Sequence, residues 1–248
     1  MQREGFRVTA AFEEHHWWFR ARRELVVAQV EAALRERGDR PARPQILDYG
    51  CGTGFNLRVL ARYGEAFGAD VGSAHADEFR SVPDGRFLAI GAGLAPHRGR
   101  FDLVTALDVL EHLDDDAAGL AAIRELLAPG GQIVLTVPAY DWLWSGEDVI
   151  SEHRRRYTRR ALERVCRSAG LTLRFVSYFN LSILPLAAAA IWAERLIHPG
   201  APPRSNLREL PPRMNEWLYR VVASESRRVG RERLRLPAGA SLVARCAA

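Results

Sequence analysis

Residues 45–55 read QILDYGCGTGF, an apolar run that meets an acid and then three glycines at alternate positions, Gly50, Gly52 and Gly54. A short apolar run of this kind reads as a strand. Glycines directly after it let the backbone take positive φ and lie close to a ligand with no side chain between. A strand, such a loop and a following helix open a βαβ unit. They put the loop at the carboxyl edge of a parallel sheet, where open α/β sheets bind ligands and a helix N-terminus offers amide donors.

The rest of the chain continues that alternation. Strand-like runs recur at 66–71, 86–90, 101–107 and 132–137, with helical stretches at 54–63 and at 116–128, the latter closed by Pro129-Gly130-Gly131. A helix at 158–169, a sixth strand LTLRFVSYF and a terminal strand ASLVARCA follow. Upstream, Leu25, Val26, Gln29, Val30, Ala33 and Leu34 recur at helical spacing and predict one helix over 12–37, stopped by Gly38. The pattern predicts an α/β fold with a doubly wound, mostly parallel sheet. At 248 residues the economical reading is a single domain: an N-terminal helical arm at 1–40, a core at 41–179, a helical insertion at 180–237 and a last strand at 238–248.

Several ligand classes are excluded by single residues. A dinucleotide fingerprint would want a small third residue at position 55, which is Phe55. A phosphate loop of the Walker type needs a lysine, and all 35 basic residues are arginine. Total exclusion of lysine reads as coding bias, so the net charge of +5 argues only weakly for nucleic acid, which is disfavoured as a partner. Cys51, Cys166 and Cys246 form no CxxC pair and suit a reducing cytoplasm. The first twenty residues carry EEHHWWFR in place of an apolar leader. The apolar stretch 181–197 is short for a membrane span, contains Pro185 and meets Glu194 and Arg195. It reads as a buried or surface-lying helix, suited to peripheral contact with an anionic membrane through 180–197.

Asp70 ends the second strand, where a carboxylate can accept hydrogen bonds from both hydroxyls of a ribose. With the glycine loop it points to an adenosine ligand. At this point the sequence resembles the class I S-adenosylmethionine-dependent methyltransferases. LDYGCGTG is similar to their first motif, GADVG at 68–72 to the second, FDLVTALDVLEHL at 101–113 to the fourth strand and its turn, and LLAPGGQIVLTVPA at 126–139 to the next helix and strand. Residues 12–23 and HRRRYTRRAL at 153–162 look like a bacterial branch of that family. The resemblance implies a seven-stranded sheet with an antiparallel last strand. It implies S-adenosyl-L-methionine as cofactor and S-adenosyl-L-homocysteine as product. Asp48, Gly50, Gly52 and Gly54 would hold the methionine end, Asp70 the ribose, and Leu107 and Asp108 the sulfonium side. One departure is visible. Where the family often has an acid for the adenine amine, this chain reads Gly91-Ala92-Gly93, leaving the backbone at Gly91 and Ala92 for that contact.

Methyl transfer from a sulfonium is an in-line displacement that needs an aligned acceptor, a dry site and, for a hydroxyl, a base. The arm EEHHWWFRARR is too aromatic to stay wet and is expected to fold over the cofactor, with Arg22 or Arg23 meeting the methionine carboxylate. The loop after the fifth strand holds Tyr140, Trp142, Trp144, Asp148, His153 and Tyr157 and should face the acceptor. His153 is the first choice for general base, His16 the second, and Tyr157 a further candidate. His112 reads as structural, and Cys51 as a small loop residue. No cluster at metal-ligand spacing appears, so no metal site is expected. The expected acceptor is a small or lipid-linked molecule, with the 180–237 insertion as lid. Rival readings are a non-catalytic relative that binds the adenosyl ligand and, lower, an RNA methyltransferase. The acceptor atom and the oligomeric state stay open.

Overall fold

Seven strands form one sheet in the order β3-β2-β1-β4-β5-β7-β6: β1 (Gln45–Tyr49), β2 (Glu65–Asp70), β3 (Phe87–Ala89), β4 (Phe101–Leu107), β5 (Leu127–Pro138), β6 (Thr172–Phe179) and β7 (Ser241–Ala247). The computed structural model describes residues 3–37, 42–71, 82–83, 85–198, 202–205 and 207–248. Gly38 and Gly72, named above, lie outside them. The first five strands are parallel, and β7 runs antiparallel between β5 and β6. This is the doubly wound α/β sheet with an antiparallel last strand that the pattern and the resemblance predict. Strand order reverses between β1 and β4, which opens a crevice at their carboxyl ends.

The helices are α1 (Arg3–Phe12), α2 (Trp17–Glu36), α3 (Phe55–Leu60), α4 (Asp116–Arg124), α5 (Gly146–Ile150), α6 (Arg159–Ser168), α7 (Leu184–Ile197) and α8 (Pro212–Gly230). Alternate side chains of the central strands feed opposite layers. Ile46, Leu103 and Val134 pack with Val26 and Val30 of α2 and Leu57 and Leu60 of α3. Leu47, Val104, Ile133 and Leu135 share a cluster with Leu120 and Ile123 of α4 and Leu162 and Cys166 of α6. Coverage of both faces explains why β4 is buried along nearly its whole length.

Two helix boundaries differ from the sequence reading. The helix predicted at 12–37 is α2, which starts only at Trp17 because the chain turns at 13–16 and His16 caps it; the separate helix α1 before that turn was not predicted. The predicted helix at 116–128 stops at Arg124, because Leu127 pairs with Phe101 and joins β5.

The end of α2 is held by a buried polar hub. Arg245 of β7, 1% exposed, forks onto Glu36 (2.5 and 2.7 Å) and also donates to Glu232 (2.5 Å), Gln132 (2.9 Å) and Gln29 (3.2 Å). Its donors are thereby spent on two carboxylates and two amides, the condition under which a buried guanidinium is tolerated. α8 lies tightly along α2. Gln29 donates to the Gly230 carbonyl at 2.7 Å, and a Cβ on Gly230 would sit 2.9 Å from the Leu25 carbonyl oxygen. α7 is different: none of its residues is buried, and Leu186, Trp192, Leu196 and Ile197 face outward. Among the described residues no helix is long and apolar enough to cross a membrane.

Candidate active site

The turn after β1 is built on the three glycines, at φ +76°, +53° and +81°. Gly50 has a second constraint, since a Cβ there would lie 2.5 Å from Cγ2 of Val109. The loop is sewn to β2: the Gly50 and Cys51 amides donate to the Ala69 carbonyl (2.7 and 3.0 Å), and the Gly52 amide donates to Asp70 Oδ2 (2.6 Å). Asp70 Oδ1 accepts from the Val71 amide (2.7 Å), so this carboxylate braces the loop. Cys51 is buried beside Gly68, as a small packing residue.

Asp48, 1% exposed, accepts from Thr105 Oγ1 at 2.6 Å, while its enclosed Oδ2 makes no hydrogen bond. Burial pushes its carboxyl up to about 6, against the opposing effect of the Thr105 hydrogen bond and the Arg22 charge. A buried carboxylate oxygen without a partner, next to glycine backbone, suits the ammonium of an amino-acid tail. On this observation the residues present fit S-adenosylmethionine.

The arm folds onto this edge. Thr53 Oγ1 donates to Glu13 Oε2 at 2.6 Å, and Arg22, lying over the Trp18 ring, forms an ion pair with Asp108. Asp108 itself takes positive φ (+57°) just after β4, beside the half-buried Leu107, and its Oδ1 accepts from Thr136 Oγ1 at 3.0 Å. Arg23 donates to the Glu13 and Glu14 carbonyls and stacks on Phe55, so its terminal nitrogens hold the α1–α2 turn rather than waiting for a carboxylate. Gly91 (φ +102°) faces open space, and Ala92 opens the short 3-10 turn that follows β3.

On the acceptor side the structure sorts the candidates. Asp148 is fully buried and receives the Ser145 amide (2.7 Å), Arg156 Nε and Nη2 (both 2.8 Å) and His153 Nδ1 (2.9 Å). Burial alone would raise its pKa, but the hydrogen bonds from His153 and Arg156 outweigh it and hold the group well below the usual carboxylate range. His153 is thereby fixed with Nε2 turned to Glu111 Oε1, 3.9 Å away, and its ring stands edge-on to His112 at 4.8 Å.

Two catalytic candidates do not join this group. The Tyr157 ring is in the core and its hydroxyl donates to Asp116 at 2.8 Å, with burial pushing its pKa up. His16 is a buried N-cap whose Nδ1 accepts the Trp18 amide, and burial lowers it to about 4, which keeps it neutral. In this structure the Tyr157 hydroxyl and His16 Nδ1 each have a fixed partner within the fold. The arginines at 154–159 are likewise engaged: Arg154 and Arg155 on carbonyls at 112–114, Arg156 on Asp148 and Arg159 on Glu163. Glu111, which the sequence reading passed over, is fully buried with both oxygens unpartnered. Its one visible sign was its place in LEHL directly after a strand end.

A crevice at the switch point, a three-glycine turn and an enclosed acid beneath it are the parts of a class I methyltransferase cofactor site. A methyltransferase domain model matches residues 18–175. The chain belongs to this family, the class I S-adenosylmethionine-dependent methyltransferases. It is 38% identical over 105 residues to a ubiquinone biosynthesis O-methyltransferase of Psychrobacter arcticus, covering 38% of this chain and 41% of that protein. It is 30% identical over 183 residues to the enzyme of that name from Aromatoleum aromaticum, covering 63% of this chain and 77% of the other. The chain thus spans about two fifths of the length of some curated relatives it matches. Its fold resembles that of the methyltransferase in a complex with the Haloferax volcanii activator Trm112, with TM-score 0.54, 19% identity and coverage of 99% and 96%.

Proposed function

We propose that this protein transfers the methyl group of S-adenosylmethionine to a hydroxyl of a small or lipid-linked acceptor. The observation that carries the reading is the buried, unpartnered Oδ2 of Asp48 under the glycine turn. Asp48 would neutralise the methionine ammonium, Gly50, Gly52 and Gly54 would line that end, and Asp70 would accept from the ribose while still bracing Gly52. Gly91 and Ala92 would meet the adenine through backbone, and Leu107 and Asp108 would flank the sulfonium side. The bound cofactor supplies an electrophilic methyl on sulfur. The chain must do the rest: align the acceptor, exclude water with the arm and accept the hydroxyl proton. His153 suits that proton, since Asp148 holds Nδ1 and Nε2 faces Glu111 Oε1 at 3.9 Å, beyond hydrogen-bond reach.

The hydroxyl acceptor is supported by the relatives named as O-methyltransferases, and the lipid-linked option by the exposed apolar face of α7. That face carries Leu186, Trp192, Leu196 and Ile197, with Arg195, Arg204 and Arg213 exposed nearby in the chain. An anionic membrane surface complements both features. The 180–237 insertion would then deliver the acceptor as well as close over it.

Calorimetry with S-adenosylmethionine and S-adenosylhomocysteine tests the cofactor. Mass detection of O-methyl products from catechol-type and polyprenylated phenols tests the acceptor. Binding of neither ligand refutes the reading. Binding without turnover on any acceptor would favour a non-catalytic relative, the reading that Gly91-Ala92-Gly93 keeps in play.

A further inference from the structure

We propose that Trp18 receives and orients the acceptor: its indole is the platform for a planar, oxygen-bearing ring at the mouth of the crevice. The inference rests on the hydroxyl-acceptor reading and adds to it a residue and a selectivity, for uncharged aromatic hydroxyls over saturated or cationic acceptors.

The run HHWWF places two tryptophans side by side at the start of α2, and the helix sends them to different surroundings. Neighbours on a helix stand about 100° apart, whereas residues four apart share a face. Trp17 packs with Ala21, four residues on, against Val222 and Ala223 of α8. Trp18 stands one turn before Arg22, whose guanidinium lies 4.5 Å from the centre of its ring. Trp17 thus joins the arm to the insertion, and Trp18 is left on the face of α2 that carries Arg22.

Arg22 fixes where that face lies. The same guanidinium is paired with Asp108, whose backbone turns just after β4 and whose Oδ1 accepts from Thr136 of β5. The indole is therefore one guanidinium away from the residue proposed to flank the sulfonium side. Phe19, 7% exposed, stands edge-on to it at 4.8 Å. A ring braced by Phe19 and Arg22 is already ordered, so little conformational freedom is lost when a ligand lies on it.

What remains of the indole suits a ligand. Trp18 is only half-buried. Among the described residues its Nε1–H has no hydrogen-bond partner, while its main-chain amide is capped by His16. Tryptophan is the side chain that combines a large apolar face with one polar donor, the pairing that orients a small ligand in a cleft. A phenol or catechol ring can stack against the indole while a ring oxygen accepts from Nε1–H. A saturated alcohol of the same size has no π-face to offer. An ammonium-bearing acceptor would have to share the ring with Arg22, and two cations on one indole repel. The indole takes no part in bond-making; it holds the ring while the hydroxyl faces the methyl group.

The test uses the full chain saturated with S-adenosylhomocysteine and three probes of similar size: catechol, cyclohexane-1,2-diol and benzylamine, which is protonated at neutral pH. In calorimetric titration the wild type should bind catechol about tenfold or more tightly than either of the others. Trp18→Ala should weaken catechol by about tenfold or more, and Trp18→Phe, which keeps a π-face and loses the donor, should recover part of that. In Trp18→Phe the affinity for S-adenosylhomocysteine should stay within about twofold, since a fold-wide defect would lower both affinities together. In turnover of a catechol-type acceptor the same variant should raise KM for the acceptor and leave KM for S-adenosylmethionine in place. Where Trp18→Ala does not fold, Trp18→Phe and the wild-type ranking of the three probes decide. Equal binding of catechol and the diol, a preference for benzylamine, no catechol binding at all, or catechol affinity unchanged in the variants would overturn the proposal. A wild type that binds no S-adenosylhomocysteine would refute the cofactor reading instead, and the same titrations on the chain alone would then decide the role of Trp18.

Discussion

Arg22 of α2 and Asp108 just beyond β4 form an ion pair across the mouth of the crevice, with side chains 12% and 25% exposed. It ties the arm to the strand end that also leads to Glu111. Removing one partner of such a partly buried pair leaves the other charge uncompensated. Arg22→Ala should therefore raise amide exchange across residues 3–23 and weaken S-adenosylmethionine binding at least fivefold, read by hydrogen exchange and calorimetry. Unchanged exchange in the arm would show that Asp108 is not its anchor.

Asp70 has two duties, to the Gly52 amide and, as proposed, to the ribose. Asp70→Ala should weaken cofactor binding tenfold or more, about 1.4 kcal/mol. An unaltered affinity in calorimetry would mean that the sugar lies elsewhere.

Asp48 gives the ligand-free protein a pH signature. Its folded pKa of about 6 lies above its ordinary 3.8, so its contribution to stability is full below pH 4 and is lost as pH rises through 6. The shift corresponds to about 3 kcal/mol. Urea unfolding at pH 4, 5, 6 and 7 should show Asp48→Asn gaining stability relative to wild type across that window. Saturating S-adenosylmethionine should shrink the gap by stabilising the ionised carboxylate. A difference that is flat with pH would contradict the assignment.

Arg245 gathers four side chains into the polar hub at the end of α2. Arg245→Met leaves the buried Gln29 and Gln132 oxygens unpaired, while Glu36 and Glu232 stay open to solvent, and should cost about 1–3 kcal/mol. Arg245→Lys should recover little, because an ammonium cannot fork onto a carboxylate. Chemical denaturation of both variants measures this, and near-wild-type stability of the lysine variant would contradict it.

The exposed face of α7 predicts flotation with anionic liposomes and none with neutral ones. Trp192→Ser with Leu196→Ser should abolish it, since each large apolar side chain transferred contributes about 1.5–3 kcal/mol. Equal flotation by the double variant would remove α7 from the interface.

The central strands were legible in the sequence because a strand covered on both faces must be a continuous apolar run, as in FDLVTAL and QIVLTV. Helix ends were less so. Leu127 and Ala128 extend a helical pattern, yet pairing with Phe101 draws them into β5, a tertiary effect that no local propensity records. The glycine turn, Asp48 and Asp70 were readable because their chemistry is contiguous with a strand end. For Tyr157 and His16 residue type could not reveal that the hydroxyl and Nδ1 are already bonded within the fold. Glu111 stayed hidden for the opposite reason: its neighbour His153, 3.9 Å away, is remote in sequence and arrives only through the loop that Asp148 organises. Arg245 was visible as a strand residue, but not as a buried guanidinium.

The hub at Glu36 has a mechanical corollary. With its tail clamped to the last strand and its flank pressed onto Gly230, α2 behaves as a fixed beam and cannot swing to admit reactants. The turn at 13–16, tied to the glycine loop by the bond between Glu13 and Thr53, is then the joint at which α1 meets a fixed α2.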